Sequence, residues 1–544
     1  MLLLLLLLYT GLSVAFEGKS LSENVVGYLG IPYAKAPVRE RRFKESEPVE
    51  FDEKRSYLEW PLGCPEVAYM GRSEDCLFLN VLQHKGTSKK VDTLLIFSNE
   101  KLSEAKLAGL ASPSLNIVTA GVRCGLLGSL FNQGRYVGAS EPRITSNSLF
   151  IYLGSFNGIP HGVSDVLNAV KFLRNNADLL HIGKITVWAE SLAAETVASA
   201  LSRTDVDRAI LINGNARTRT IAREEFSKRA TYKLLTELEH FSMIPYAFSK
   251  IRHDDSGDCP LIPSCLTSEK SKWKKAFYPF GIPFRSPSYE QPAIPTILGV
   301  FRQLPKDYPT DANFDEKYQY IDFKRFLAGL IPDTQFRNAP LLRRQILHQY
   351  IYTQGDKKNT YFLFEQMRKI LLDRDFIAPT QQLVTELKQK KGPVYMLEYG
   401  IDNPPASCLQ DGGWDDIKPF CDKMFQYFTR FATKGEPTKN SCEKTNPTWP
   451  AMGSTKRDYH VILKADGIIE WESNFHLAST ELWNNFLLAL DKLELKGRRD
   501  AVFKEETQLD PHEVEDDIQE WHRNADEMSN FDHAMEDMSL HMEL

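Results

Sequence analysis

Short, nearly unbroken apolar runs recur along the chain, separated by stretches in which apolar residues return every three or four positions. Leu94-Leu95-Ile96-Phe97, Ile117-Val118-Thr119, Lys184 to Trp188 and Val394 to Tyr399 read as buried strands. Val163 to Leu173 carries its apolar residues at helical spacing, and Tyr459 to Leu463 is strand-like. Strands of this kind alternating with helices predict the α/β class, a large and mostly parallel sheet with helices on both faces. No linker, repeat or low-complexity stretch interrupts residues 25–490. One large domain over residues 16–490 is expected.

The two ends differ from this pattern. Leu2 to Leu8 form an apolar run that closes at Ser13-Val14-Ala15, which reads as a signal peptide over residues 1–15. It is shorter than the ~20 residues a membrane span needs, and no later segment is long and apolar enough to be a transmembrane helix. Residues 500–544 hold fifteen Asp or Glu against Lys504 and Arg523. Residues 491–544 are therefore expected to be an acidic, flexible tail, without the fixed carboxylate spacing of a calcium loop. The tail ends His541-Met542-Glu543-Leu544, close to an endoplasmic-reticulum retrieval signal. The expectation is a resident of the reticulum lumen, with secretion as the alternative.

Composition adds three constraints. The 544 residues are 42% hydrophobic, enough for a large core, and the net charge of −6 gives no support to a nucleic-acid partner. Eight cysteines suit an oxidising compartment. Cys64 with Cys76, and Cys259 with Cys265, are near enough in the chain to close small loops; Cys124, in an apolar stretch, is expected as a free thiol. Pairing among Cys408, Cys421 and Cys442 stays open. Asn446 is followed by Pro447, so no N-glycosylation sequon is available there.

Several blocks, in order, resemble the carboxylesterase type B (cholinesterase-like) family. They are Gly30-Ile31-Pro32-Tyr33-Ala34-Lys35-Ala36-Pro37 with Arg42-Phe43; Ser73-Glu74-Asp75-Cys76-Leu77-Phe78-Leu79-Asn80; Arg123-Cys124-Gly125-Leu126-Leu127-Gly128; the stretch 428–437; and Thr448-Trp449-Pro450. The resemblance covers roughly residues 20–490. It implies the α/β-hydrolase fold, a Cys64–Cys76 disulfide, and a site made of a serine, a histidine, an acid and an oxyanion hole of backbone N–H groups.

The site positions depart from that pattern. Trp188-Ala189-Glu190-Ser191-Leu192-Ala193-Ala194 places Ser191 where the family has its nucleophile, with alanines at Ala189 and Ala193 replacing glycines; a serine left on an inherited turn, capping the helix, is the alternative. Ser98-Asn99-Glu100-Lys101 replace the His-Gly-Gly-Gly oxyanion loop, with Asn99 the one residue suited to rebuilding it. Leu304 stands at the acid position, with Asp307 nearby, and Asp411 stands at the histidine position. An aspartate is a poor base at neutral pH. His460 lies in a strand-like run and reads as a packed or surface residue.

Losing the serine–histidine unit costs on the order of a million-fold in kcat even where an oxyanion hole survives. The expected function is therefore non-catalytic: a binding or scaffolding protein of the secretory pathway, with a protein partner or a homodimer. A weak serine hydrolase using Ser191 is one alternative. An apolar-ligand carrier lined by Trp188 and Trp449 is another. No cofactor and no metal site is inferred.

Overall fold

The computed structural model describes residues 16–38, 41, 44–64, 72–124, 161–218, 291–304, 318–331, 333, 336–401, 405–412, 415–438, 448–455 and 457–494. The Cys259–Cys265 pair, Cys442, Asp307, Arg42-Phe43, the leader and the acidic tail lie outside these residues.

Eleven strands form one sheet: β1 (Lys19–Ser20), β2 (Val25–Pro32), β3 (Phe78–His84), β4 (Val91–Phe97), β5 (Leu115–Ala120), β6 (Ile182–Glu190), β7 (Arg208–Ile212), β8 (Thr296–Phe301), β9 (Val394–Gly400), β10 (Tyr459–Lys464) and β11 (Ile469–Ser473). Their spatial order is β1-β2-β3-β5-β4-β6-β7-β8-β9-β10-β11. The pairs from β5 across to β10 are parallel, and antiparallel strands close both ends. The large, mostly parallel sheet is the α/β-hydrolase arrangement expected from the alternating runs. β5, β7 and β8 are buried at every position, as strands covered on both faces must be.

The helices are α1 (Glu104–Leu110), α2 (His161–Asn175), α3 (Ser191–Ala200), α4 (Tyr320–Leu330), α5 (Ala339–Leu347), α6 (Thr360–Leu372), α7 (Ala378–Gln389) and α8 (Lys418–Lys434). Local signals explain their ends. Pro340 and Pro419 occupy first turns, where the missing N–H is harmless. Gly435, at φ +79°, stops α8 in the left-handed conformation that glycine adopts freely. Gln319 and Asp322 form a reciprocal capping box on α4.

Although the chain reads as one domain, its contacts divide it into two compact units, residues 1–311 with 371–480, and residues 312–370 with 481–544. The first holds the whole sheet. The second is helical. In it Trp483 Nε1 donates to Tyr350 Oη at 2.9 Å, and Asn338 Nδ2 donates to the carbonyls of Leu490 and Leu493, each at 2.9 Å.

The sheet core places two expected residues. Trp188 is fully buried with its ring edge-on to Phe428 at 5.1 Å, and Trp449 packs on Tyr395 and Tyr427. Both are buried among aromatic neighbours, each worth roughly 1.5–3 kcal/mol or more by burial. One buried ion pair also belongs to this frame. Arg123 Nε and Nη2 donate to Asp165 at 2.9 and 2.7 Å, tying the end of β5 to α2.

Candidate functional site

In an open parallel sheet, ligands meet the loops at the carboxyl ends of the strands where strand order reverses. Here β4 is flanked by β5 and β6, so the reversal brings the loop after β4 beside the turn after β6. These are the two segments the resemblance singles out.

The turn after β6 is a tight elbow. Glu190 ends the strand in extended backbone, and Ser191, the first residue of α3, has φ +50°. A non-glycine residue there costs roughly 1–2 kcal/mol, so the surrounding packing must hold it. It does so at close range: a Cβ on Gly214 would lie 2.3 Å from the Ser191 carbonyl oxygen. Buried Ala189 and Ala193 fit on either side of the bend, so the missing glycines do not prevent it. Ser191 is exposed, and among the described residues nothing hydrogen-bonds its hydroxyl. It is not a helix cap either, because the cap position is Glu190 and no side-chain bond is made there.

Glu190 is held in a very different environment. Its Oε1 accepts from Trp188 Nε1 at 3.2 Å and the carboxyl also accepts from the Ala406 backbone N–H, while Oε2 is enclosed without a partner among the described residues. Burial pushes this carboxyl up to about 8, so it is neutral below that pH. Tyr399 lies near it, with its phenol held well above the ordinary range by burial and by Glu190. The phenol oxygen accepts from Asn213 Nδ2, and Asn213 Oδ1 accepts from Phe301 N–H at 3.0 Å.

The loop after β4 is locked in a shape of its own. Ser98 N–H donates to Ala120 O at 3.1 Å, and Ser98 Oγ accepts from Glu100 N–H at 3.1 Å. Both ends of the Asn99 amide meet Val122: Nδ2 donates to Val122 O at 2.8 Å, and Oδ1 accepts from Val122 N–H at 3.0 Å. Asn99 is buried, Glu100 pairs with Arg72, and Lys101 is exposed. No residue from 98 to 101 has a positive φ. Asn99 does not take the left-handed conformation open to it, and its side-chain amide, the group that could rebuild the hole, bonds to Val122.

Leu304 follows β8 and is buried. Near it, Phe301 packs against Phe376 and Tyr399, so aromatic rings fill the ground around the acid position. Asp411 is exposed on a bend closed by the Cys408–Cys421 disulfide. That bend is fastened beneath α1, with Ser103 N–H on Leu409 O at 2.7 Å and Lys106 Nζ on Gln410 O at 2.7 Å. The elbow, the Ser98 loop and the Cys408 loop are thus linked to one another. Leu304 is apolar and buried, and Asp411 is exposed.

The cysteines resolve in part. Cys64–Cys76 is a disulfide, as the resemblance implies; Cys408 pairs with Cys421, and Cys124 is a buried thiol. Two disulfides fit an oxidising, lumenal or secreted setting. No helix among the described residues is long and apolar enough to cross a membrane. No group of three or more His, Cys, Asp or Glu among them could hold a metal ion.

The carboxylesterase family model matches residues 10–128. The parallel sheet and the elbow after β6 agree with that match. Over these residues the chain is similar to the carboxylesterase family. It is 23% identical to esterase E4 of Myzus persicae over 449 residues, which is 71% of this chain and 72% of that protein. It is 27% identical to the para-nitrobenzyl esterase of Bacillus subtilis over 232 residues, 37% of this chain and 43% of the enzyme. It is 28% identical to human thyroglobulin over 225 residues, 38% of this chain. The match spans only 8% of thyroglobulin's own length.

Sequence reasoning missed two features of this chain. Glu190 was noted only as part of the serine motif, although a glutamate between Ala189 and the elbow of a buried strand signals an enclosed carboxyl. The second is a cluster around Glu398 in which His460, read as packed or surface, is buried beside the carboxylate.

Proposed function

We propose that this chain is a non-catalytic carboxylesterase relative that serves in binding or scaffolding within the secretory pathway, in the reticulum lumen. The observation that carries this reading is the Asn99–Val122 exchange of hydrogen bonds, which commits the loop in the oxyanion position to structure. Removing a single oxyanion donor costs about 2.7–4 kcal/mol in a transition state, and here both the loop's turn and its free amide are gone. The Glu190 carboxyl is neutral below about pH 8, and Leu304 at the acid position is an apolar, buried side chain. The two disulfides support a lumenal or secreted role, with a protein partner or a second copy of the chain.

The elbow geometry favours one second reading, weak hydrolysis through Ser191, because φ +50° is retained at the nucleophile position. Steady hydrolysis of a short-chain nitrophenyl ester by wild type and Ser191→Ala separates the two. Equal rates at the buffer level support the non-catalytic reading. A wild-type rate well above that of the alanine variant overturns it.

A further inference from the structure

Sheet register assembles a charged cluster that the elbow residues do not include. On β9, Glu398 stands opposite Val300 of β8 and Ile462 of β10. Its carboxylate is almost completely enclosed. His460 of β10 and His476, just after β11, both bring Nε2 to the same oxygen, Oε2, at 3.2 and 3.3 Å. Arg302, after β8, places Nε 2.9 Å from Oε1. Glu472 of β11 lies 4.0 Å from His460 Nε2, and buried Asp373 accepts from Ser479 Oγ at 2.7 Å. The Phe475 ring packs edge-on against both imidazoles, at 5.2 and 4.9 Å.

The backbone here is under strain. Asn474 has φ +62° and His476 φ +42°, two left-handed non-glycine residues within three positions. Asparagine tolerates this conformation, but a histidine rarely adopts it, so contacts outside the segment must hold His476 in place. The Glu398 pair is the contact best placed to do so.

We propose that Glu398, His460 and His476 form a proton-operated clasp, which fastens residues 474–480 to the sheet at acidic pH and loosens them as the pH rises. Three acids (Glu398, Asp373 and Glu472) and one guanidinium (Arg302) face the imidazoles. Burial pushes Glu398 up, but the imidazoles outweigh it and bring the carboxyl to about 2, leaving the anion present throughout. Burial pulls His476 down, yet Glu398 outweighs burial and holds it above its ordinary value. A raised histidine contributes its stability fully below the unfolded value, 6.5, and loses it as the pH climbs through the higher folded value. A chain moving from a neutral to an acidic compartment would tighten this segment, whether or not Ser191 reacts.

Hydrogen exchange of the full chain between pH 5.5 and 8.5, corrected for intrinsic rates, tests the clasp. Peptides covering residues 472–480 in wild type should lose protection several-fold across the range. His476→Gln should be low and flat, and His476→Arg, a permanent cation, high and flat, while β4 and β6 peptides stay unchanged in both. Wild-type protection independent of pH, or a His476→Gln profile matching wild type, overturns the proposal. Should His476→Gln lose protection in β4 and β6 as well, the His476→Arg profile decides: a wild-type slope there also overturns it.

Discussion

Replacing Glu190 by glutamine should stabilise the protein, and more so the higher the pH. The carboxyl is carried by burial from 4.5 to about 8, and only Trp188 Nε1 and the Ala406 N–H offset that burial. At roughly 1.4 kcal/mol for each pH unit, enclosing it costs the fold on the order of 4–5 kcal/mol once the unfolded chain has ionised it. The sign follows from proton counts. Between pH 4.5 and about 8 the folded chain keeps a proton that the unfolded chain releases, so stability falls as the pH rises, then levels off. Glutamine keeps the acceptor for both donors and has no proton to lose. Urea unfolding of wild type and Glu190→Gln at pH 5, 6, 7 and 8 checks this. The midpoints should be close at pH 5 and diverge steadily, with the variant higher by the equivalent of a few kcal/mol at pH 8. Parallel curves would refute the reasoning, because they would mean that Glu190 is ionised, or wet, in the folded state.

Two further substitutions test the loops that displaced the catalytic ones. Asn99→Ala leaves the buried N–H and C=O of Val122 unpaired, and should cost about 2–4 kcal/mol, read as a lowered Tm in calorimetry with no gain of esterase activity. Replacing Cys408 and Cys421 together by serine opens a bridge spanning 13 positions; the chain-entropy relation gives a loss of about 3 kcal/mol, measurable by urea unfolding in the absence of reductant.

The fold was legible because its signals are local. Runs such as Leu94 to Phe97 and Lys184 to Trp188 carry their own evidence of burial, and parallel pairing follows from their alternation with helices. Ser191 was legible for the same reason, since its strand, bend and helix are contiguous. What decides the chemistry is not local. Asn99 looked free to turn because nothing in Ser98 to Lys101 reveals that Val122, 23 positions later, takes both ends of its amide. The pairing of Cys408 with Cys421 rather than Cys442 depends on where α8 packs. Glu398, His460 and His476 are separated by 62 and 16 residues, and only the register of β9 against β10 brings them to one oxygen. Trp188 and Trp449 could be read either way from sequence, because an aromatic near a motif reads alike whether it lines a pocket or fills a core.

The central claim is that Ser191 sits on a hydrolase elbow without the means to be activated. Intact-mass measurement after treatment with a fluorophosphonate probe tests this most directly, because the probe reports activation of the serine and needs no turnover. The account predicts no mass increase on wild type beyond that on Ser191→Ala. A stoichiometric adduct on wild type, mapped to Ser191 and absent from the variant, would contradict it.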